Sequence, residues 1–147
     1  MTLLTLSACS GSIGTVVVPG QSLAPCPASP NCIASEARDS VHRMPTVPFD
    51  DAPVTAQGRA RAALTAEART SITLEAPGYV RAEATSLLFR FVDDVEIVVD
   101  STARLFRFRS ASRIGRGDMG VNRARMTRVM ERLRAVTASA PTVSPVR

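Results

Sequence analysis

The sequence predicts a two-layer α+β domain, in which an antiparallel β meander packs against an N-terminal and a C-terminal helix. Three features predict this fold: an alanine-rich helical segment in the first half, a run of strand-like segments after it, and an amphipathic helix near the end. The chain has 147 residues, of which 45% are hydrophobic and 21% are charged. This length and composition are typical of one globular domain rather than a disordered chain.

The first helix is predicted to begin at Pro53 and to run to about Arg69. An aspartate of Asp50-Asp51 precedes it as a cap, and the fixed φ of proline suits the first helical turn. The Ala and Arg residues that follow have high helix propensity. Leu64 and its alanine neighbours would form a shallow packing face.

Strand-like segments follow this helix, separated by turn residues such as Ala76-Pro77-Gly78. They cover Ser71–Glu75, Tyr79–Thr85, Leu87–Val92, Val95–Val99 and Leu105–Arg109. In the last two segments apolar residues alternate with other residues, as expected of half-buried strands. Asp100–Ala103 is long enough to join these two strands as a hairpin.

An amphipathic pattern predicts the final helix. Its apolar stripe consists of Met126, Val129, Met130, Leu133 and Val136. The charged residues are placed away from the stripe; they are Arg125, Arg128, Glu131 and Arg132. We therefore predict that the stripe belongs to the core and is not a cofactor site.

The arginine content bears on the class of partner. The formal net charge is +5, and all 18 basic residues are arginine. Either arginine is needed for bidentate contacts with carboxylate or phosphate, or the bias reflects the codon usage of a GC-rich genome. The arginines are spread along a chain with one Tyr and no Trp, which argues against a nucleic-acid-binding surface. No stretch approaches the roughly 18 apolar residues of a membrane-spanning helix.

The amino terminus suggests a lipid anchor. Leu6-Ser7-Ala8-Cys9 resembles the lipobox of bacterial lipoproteins, in which small residues precede a cysteine that is acylated. Only the end of an apolar signal segment precedes it, so either the true start lies upstream or the match is accidental. Ser10–Gln21 has Gly, Ser and Pro residues and no charge, which is typical of a flexible tether.

These features divide the chain into three parts. Residues 1–22 are predicted to be a partial lipoprotein signal, lipobox and tether, and residues 23–138 a single α+β domain. Residues 139–147 are predicted to be a disordered tail, because proline interrupts them. With Cys9 lipidated, the domain would be periplasmic and attached to a membrane of the bacterial cell envelope.

Two further cysteines, Cys26 and Cys32, enclose a short segment whose prolines and asparagine restrict the backbone. In an oxidising envelope such a pair forms a disulfide, with an entropic gain on the order of 2 kcal/mol. Free thiols are one alternative. A metal site with His42 is another, although the spacing matches no common zinc motif. We predict a structural disulfide and no metal or cofactor.

Two adjacent carboxylates are the first candidate site residues. Asp93 and Asp94 are predicted to lie in the bend between two strands, where paired carboxylates could act in acid–base catalysis or hold a cation. The alternative is structural: one carboxylate caps the turn and the other pairs with an arginine such as Arg90 or Arg113.

The loop Arg109–Asn122 supplies the other candidates. It leaves a strand, passes through two glycines and offers Asp118 or Asn122 as a cap for the final helix. It therefore combines the ingredients of an anion site. The candidate residues in it are Arg109, Ser110, Ser112, Arg113, Asp118 and Asn122. The alternative is a network in which nearby aspartates hold the arginines and fix the loop.

Motifs for nucleophilic catalysis are missing from the sequence. It has no G-x-S-x-G elbow, P-loop or dinucleotide fingerprint. The single histidine, His42, is far in sequence from the serine-rich stretch, and without lysine there is no Ser–Lys dyad. We therefore predict that the protein is not an enzyme.

Three segments together resemble the bacterial and plant family known as domain of unknown function 1499. They are Leu23–Ile33, Ser86–Glu96 and Arg109–Arg125, and the resemblance extends from about Leu23 to Leu133. Many such proteins look like lipoproteins or exported proteins. The resemblance therefore implies a compartment, but it implies no chemistry because the family has no established activity.

Two functional hypotheses remain. The first is a lipid-anchored envelope protein whose domain is a structural or interaction module, with another envelope protein as its partner. The second is a domain that binds a small anionic ligand, or a hydrolase, using Arg109–Asn122 with Asp93 and Asp94. The second requires these groups to line one open concavity, whereas the first expects them to satisfy each other in a closed network.

Overall fold

The computed structural model describes residues 23–87 and 89–137. The predicted signal, lipobox, tether and tail lie outside the described residues. The elements are β1 (Cys32–Ala34), β2 (Val47–Pro48), α1 (Pro53–Thr65), β3 (Thr70–Ala76), β4 (Tyr79–Thr85), β5 (Val92–Asp100), β6 (Leu105–Ser112) and α2 (Val121–Thr137). Neither of these helices is long and apolar enough to cross a membrane.

The described strands form one antiparallel sheet in the order β1-β6-β5-β4-β3. Strands β3 to β6 pair in sequence, which confirms the predicted meander. The sequence did not predict β1 and β2, which pair end to end along the outer edge of β6. With three and two residues, these strands are too short to show an alternating pattern.

Helix α1 begins at Pro53, as predicted, but it ends at Thr65, before the predicted end. The left-handed backbone of Arg69, with φ of 53°, belongs to the turn into β3. The predicted aspartate cap is wrong, because Ala52 occupies the cap position and no side chain bonds to the first turn. Asp51 instead pairs with Arg59 of the helix at 3.0 Å.

The predicted strand Leu87–Val92 is wrong. Ser86 and Phe91 close a loop between β4 and β5: the Ser86 N–H donates to the Phe91 carbonyl at 2.8 Å, and the Phe91 N–H donates to Ser86 Oγ at 2.9 Å. Within this loop Arg90 has φ of 52°, which interrupts an extended chain. Strand β5 therefore begins at Val92 and contains the two aspartates predicted to lie in a bend.

The main core lies between one face of the sheet and the two helices. Its large, fully buried side chains include Val80, Ile97, Phe106 and Phe108 from the sheet, and Leu64, Met126, Val129 and Leu133 from the helices. Four residues of the predicted α2 stripe, Met126, Val129, Met130 and Leu133, are buried as expected. The opposite face, called here the second face, carries a small cluster of Leu23, Tyr79 and Val98.

Candidate functional site

Strand β5 places Asp93 and Asp94 on opposite faces of the sheet, because successive side chains of a strand alternate. Asp93 faces the helices and pairs with Arg125 of α2. Asp94 lies on the second face, where it pairs with Arg81 and Arg113. The structure therefore does not bring the two carboxylates together, and the candidate residues form two separate groups.

The first group, called here the buried network, connects the sheet to α2 and consists of Asn31, Asp93, Ser110, Asn122 and Arg125. Arg125 donates to Asp93 Oδ2 at 2.7 Å. It also donates to Asn122 Oδ1 at 2.8 Å and to Ser110 Oγ at 3.3 Å. Asp93 and Arg125 are only 4% and 6% exposed, so their charges are withdrawn from water and compensate each other.

Asn122, which is fully buried, is the central member of the buried network. Its amide nitrogen lies 3.2 Å from the Asn31 carbonyl oxygen, 3.1 Å from Ser112 Oγ and 2.8 Å from Asp118 Oδ2. Its side-chain oxygen accepts from Ser110 Oγ at 2.5 Å. The side chain thus holds the end of β6, the segment before β1 and the start of α2 in one arrangement.

Asp118 occupies the amino-terminal end of α2. Its carboxylate accepts from the backbone N–H groups of Gly120 and Asn122, both at 2.9 Å. The helix start favours negative charge, and this protein's own aspartate supplies it. Of the two caps considered, Asp118 and Asn122, the structure therefore has Asp118 as the cap. These donors are already engaged rather than directed at an external anion.

The disulfide segment is joined to the same region. Cys26 and Cys32 form a disulfide, and Asn31, next to Cys32, donates from its side chain to the Gly115 carbonyl at 2.7 Å. The Asn31 carbonyl accepts from the Ser112 N–H at 3.0 Å. The bridge therefore stabilises the segment that supplies Asn31 to the buried network.

The second group lies on the second face of the sheet. Arg113 binds Asp94 in a bidentate manner, with Nε to Oδ2 at 3.0 Å and one terminal nitrogen to Oδ1 at 2.8 Å. Arg81 donates to the same carboxylate at 2.8 Å, and Arg113 also pairs with Glu83. Both oxygens of Asp94 are thus engaged by arginine, which is the structural alternative considered for this residue.

Arg109 pairs with Glu96, a residue outside the predicted candidate set. Its guanidinium lies 3.5 Å from Glu96 Oε2, and the Tyr79 hydroxyl donates to Glu96 Oε1 at 2.7 Å. Burial and the adjacent Glu96 carboxylate raise the pKa of Tyr79 well above its usual range. The tyrosine therefore remains a neutral hydrogen-bond donor at physiological pH.

The only histidine is not part of either group. His42 Nδ1 lies 2.7 Å from Asp39 Oδ1, and Nε2 lies 3.1 Å from the Ser29 carbonyl oxygen. Within the described ranges neither nitrogen contacts a serine hydroxyl, so these residues do not form the arrangement of an activated nucleophile. Among residues 23–87 and 89–137, no cluster of three or more His, Cys, Asp or Glu side chains could hold a metal ion.

The residues that complete both groups were not among the candidate residues predicted from the sequence. Arg125 was placed on the charged side of the last helix, yet it is buried, so that prediction was wrong. It lies three residues after Asn122 and four before Val129, and both of those side chains are buried. That helical spacing was the available signal. Asn31 carried no comparable signal, because β1 was not predicted. Glu96 lies in the predicted strand Val95–Val99, and the hairpin with Leu105–Arg109 places it opposite Arg109.

Asp94 gives the stability of the fold a specific pH dependence. Burial raises its pKa, but hydrogen bonds from Arg113 and Arg81 lower it more, so the folded-state pKa lies below 3.8. A lowered folded-state pKa stabilises the protein above the unfolded-state pKa, and this stability is lost as the pH falls through the folded-state pKa. Asp94→Asn should therefore lower stability at about pH 7 and make its decline below about pH 4 less steep.

Urea unfolding at a series of pH values measures this effect. Asp50→Asn is the matched control, since Asp50 is exposed and forms no ion pair with the described part of the chain. The control should reproduce the wild-type curve. If Asp94→Asn also reproduces it at every pH, the two arginines do not stabilise the folded protein through Asp94.

Fold and geometry together define a small two-layer α+β domain whose motif arginines and carboxylates are paired on both faces of one sheet. The chain belongs to the family described as a protein of unknown function (DUF1499), whose model matches residues 22–133. This confirms the resemblance inferred from the three sequence segments. Comparison with curated proteins gives no match.

Proposed function

We propose that this protein is a lipid-anchored protein of the bacterial cell envelope, and that its domain is a structural or interaction module rather than an enzyme. The observation that carries the proposal is the pairing of the motif residues. Asp93 is bound by Arg125, and Asp94 by Arg81 and Arg113. Each carboxylate is engaged within its own group, and the two groups lie on different faces.

This pairing bears directly on catalysis. A general acid or base must reach the substrate and must change its protonation state near the working pH. The pKa of Asp94 is lowered, so this carboxylate stays ionised, and Asp93 is buried against α2. The alternative of a ligand pocket or a hydrolase needs Asp93, Asp94, Arg109 and Arg113 in one cavity, and this geometry does not favour it.

The compartment is supported by the cysteines. Cys26 and Cys32 form a disulfide, and such bonds persist mainly in oxidising compartments such as the periplasm. The remaining cysteine, Cys9, lies in the lipobox-like sequence. A protein with a disulfide in its domain and an acylated cysteine ahead of it would be tethered to the membrane and exposed to the periplasm.

Mass spectrometry of the protein recovered from the native cell membrane tests the proposal. We expect Cys9 to be the first residue of the mature chain and to carry a diacylglycerol group. The Cys9→Ser variant is the control, and it should remain unprocessed and leave the lipoprotein fraction. A wild-type protein found in the cytosol, with Cys9 unmodified and all three thiols reduced, would contradict the proposal.

A further inference from the structure

One end of the domain exposes a group of apolar side chains. Leu87 and Phe89, in the loop between β4 and β5, are 72% and 67% exposed, and Phe91 is also exposed. The rings of Phe89 and Phe91 stack with their centroids 5.4 Å apart. Ile114 belongs to the same end, because the N–H of the preceding residue, Arg113, bonds to the carbonyl of Val92 at 3.1 Å. Leu87, Phe89, Phe91 and Ile114 are called here the apolar tip.

The apolar tip is displayed by a closed loop. Both hydrogen bonds between Ser86 and Phe91 close it across its base. In the described part of the chain, eight large apolar side chains are exposed: four form the apolar tip, and the others are Val41, Val54, Met119 and Val121. A local concentration of exposed apolar side chains is characteristic of a binding surface rather than of ordinary surface composition.

The charges beside the apolar tip that form no ion pair in the described part of the chain are positive. Arg90 lies in the same loop and Arg116 follows Ile114, and neither forms an ion pair within residues 23–87 and 89–137. Asp118, the only acidic residue of the two loops, faces α2 and accepts from the backbone N–H groups there. The outward surface therefore combines aromatic and aliphatic side chains with two arginines that are open to an anionic partner.

We propose that the apolar tip binds the surface of an anionic lipid bilayer. Leu87 and Phe89 enter the boundary between headgroups and acyl chains, and Arg90 and Arg116 bind lipid phosphates. Aromatic and aliphatic side chains flanked by arginine suit this boundary, and the guanidinium group binds phosphate in a bidentate manner. Exposed apolar side chains can insert into a bilayer without a preformed pocket. A protein partner would have to provide a pocket that fits them.

This inference goes beyond the proposed lipid anchor and does not require it, although the two are compatible. Leu23, where the described chain begins, packs beside Tyr79 and Val98, about 20 Å along β5 from the apolar tip. The segment between Cys9 and Leu23 spans at most about 50 Å when fully extended. An anchor at Cys9 would therefore allow the apolar tip to reach the same bilayer.

A single tryptophan reports the insertion, because the chain contains no natural Trp. Phe89→Trp and the control Val54→Trp are made in the full-length Cys9→Ser chain, which cannot be acylated at that position. Vesicles of phosphatidylcholine with about 30% phosphatidylglycerol supply the anionic surface, and pure phosphatidylcholine supplies the neutral one. We expect a blue shift of the Phe89→Trp emission on anionic vesicles, and no shift for Val54→Trp.

Vesicle flotation of the same Cys9→Ser chain measures affinity without a reporter. Leu87→Ser/Phe89→Ser should weaken binding to anionic vesicles at least about tenfold, since burial of each apolar side chain contributes about this factor. Val54→Ser is the matched control and should bind like its parent. Arg116→Gln should weaken binding to anionic vesicles without affecting the neutral ones.

Two outcomes would overturn the proposal. The first is that the Cys9→Ser chain does not float with anionic vesicles; a photo-crosslinker at position 89 that then captures a protein would assign the surface to a protein partner. The second is equal flotation of Leu87→Ser/Phe89→Ser and Val54→Ser. Because all these chains lack Cys9, both results are independent of whether the native protein is acylated.

Discussion

Arg125→Met is expected to lower the free energy of unfolding by about 3–5 kcal/mol, the usual effect of breaking a buried ion pair on one side. The variant leaves the Asp93 carboxylate buried without its arginine partner and removes a donor from Asn122 Oδ1. Methionine retains much of the aliphatic volume, so the loss reports mainly the charge and the hydrogen bonds. Urea unfolding followed by circular dichroism measures it.

The matched control is Arg38→Met. Arg38 is exposed, and within the described ranges it forms no ion pair, so this variant should change stability by no more than about 0.5 kcal/mol. If Arg125→Met lowers the free energy of unfolding by less than about 1 kcal/mol, the pair of Asp93 and Arg125 does not stabilise the fold. A function outside the fold would then have to explain why two opposite charges are buried there.

Asn122→Ala is the second variant with a large expected effect, a loss of about 3 kcal/mol, because several buried groups lose a partner. The affected partners are the Asn31 carbonyl, Ser110 Oγ and Arg125. The far-ultraviolet spectrum should remain that of a folded α+β protein, since Asp118 still caps α2 through the backbone of residues 120 and 122.

Thr127→Ala is the control for Asn122→Ala. Thr127 lies on the exposed side of α2, and its hydroxyl donates to the Arg123 carbonyl within the helix. Its removal should change stability by no more than about 0.5 kcal/mol. An equally small loss for Asn122→Ala would show that water replaces the amide, and that the buried network does not fix the loop before α2.

Regular patterns explain what could be predicted of the fold. Alternation in Val95–Val99 and the helical stripe from Met126 onwards each report a face that must be buried, and the glycine turn at Gly78 separates two strands. The run Leu87–Val92 misled the prediction because Leu87, Phe89 and Phe91 are exposed in a closed loop rather than paired in a sheet. Apolar character alone does not distinguish these two situations.

The error in that one segment carried over to the candidate site. With Leu87–Val92 taken as a strand, Asp93 and Asp94 fell into a bend, where their side chains could converge. In strand β5 they cannot, because the backbone directs them to opposite faces. The partner of Asp93 also comes from a distant segment, α2, and no local sequence pattern encodes such a tertiary ion pair.

Whether the domain is an interaction module or carries a ligand site therefore depends on whether the paired arginines and carboxylates stabilise the folded protein. Arginines and carboxylates that pair across a sheet and a helix contribute to the specificity and stability of the fold. Charged residues that bind a ligand would instead be strained or would lack an ion-pair partner in the free protein. Their replacement would then often stabilise the protein. The sign of the stability change distinguishes these two cases.

The most direct test of this account is the coupling energy between Asp93 and Arg125, measured by urea unfolding in a double-mutant cycle. The cycle uses Asp93→Val, Arg125→Met and the variant with both changes. We expect each single variant to be strongly destabilised and the double variant to be at least as stable as either, with a coupling of at least about 1 kcal/mol. The claim that this ion pair stabilises the domain would be contradicted if the double variant lost the sum of the two single losses in the free energy of unfolding. It would also be contradicted if either single variant were more stable than the wild type.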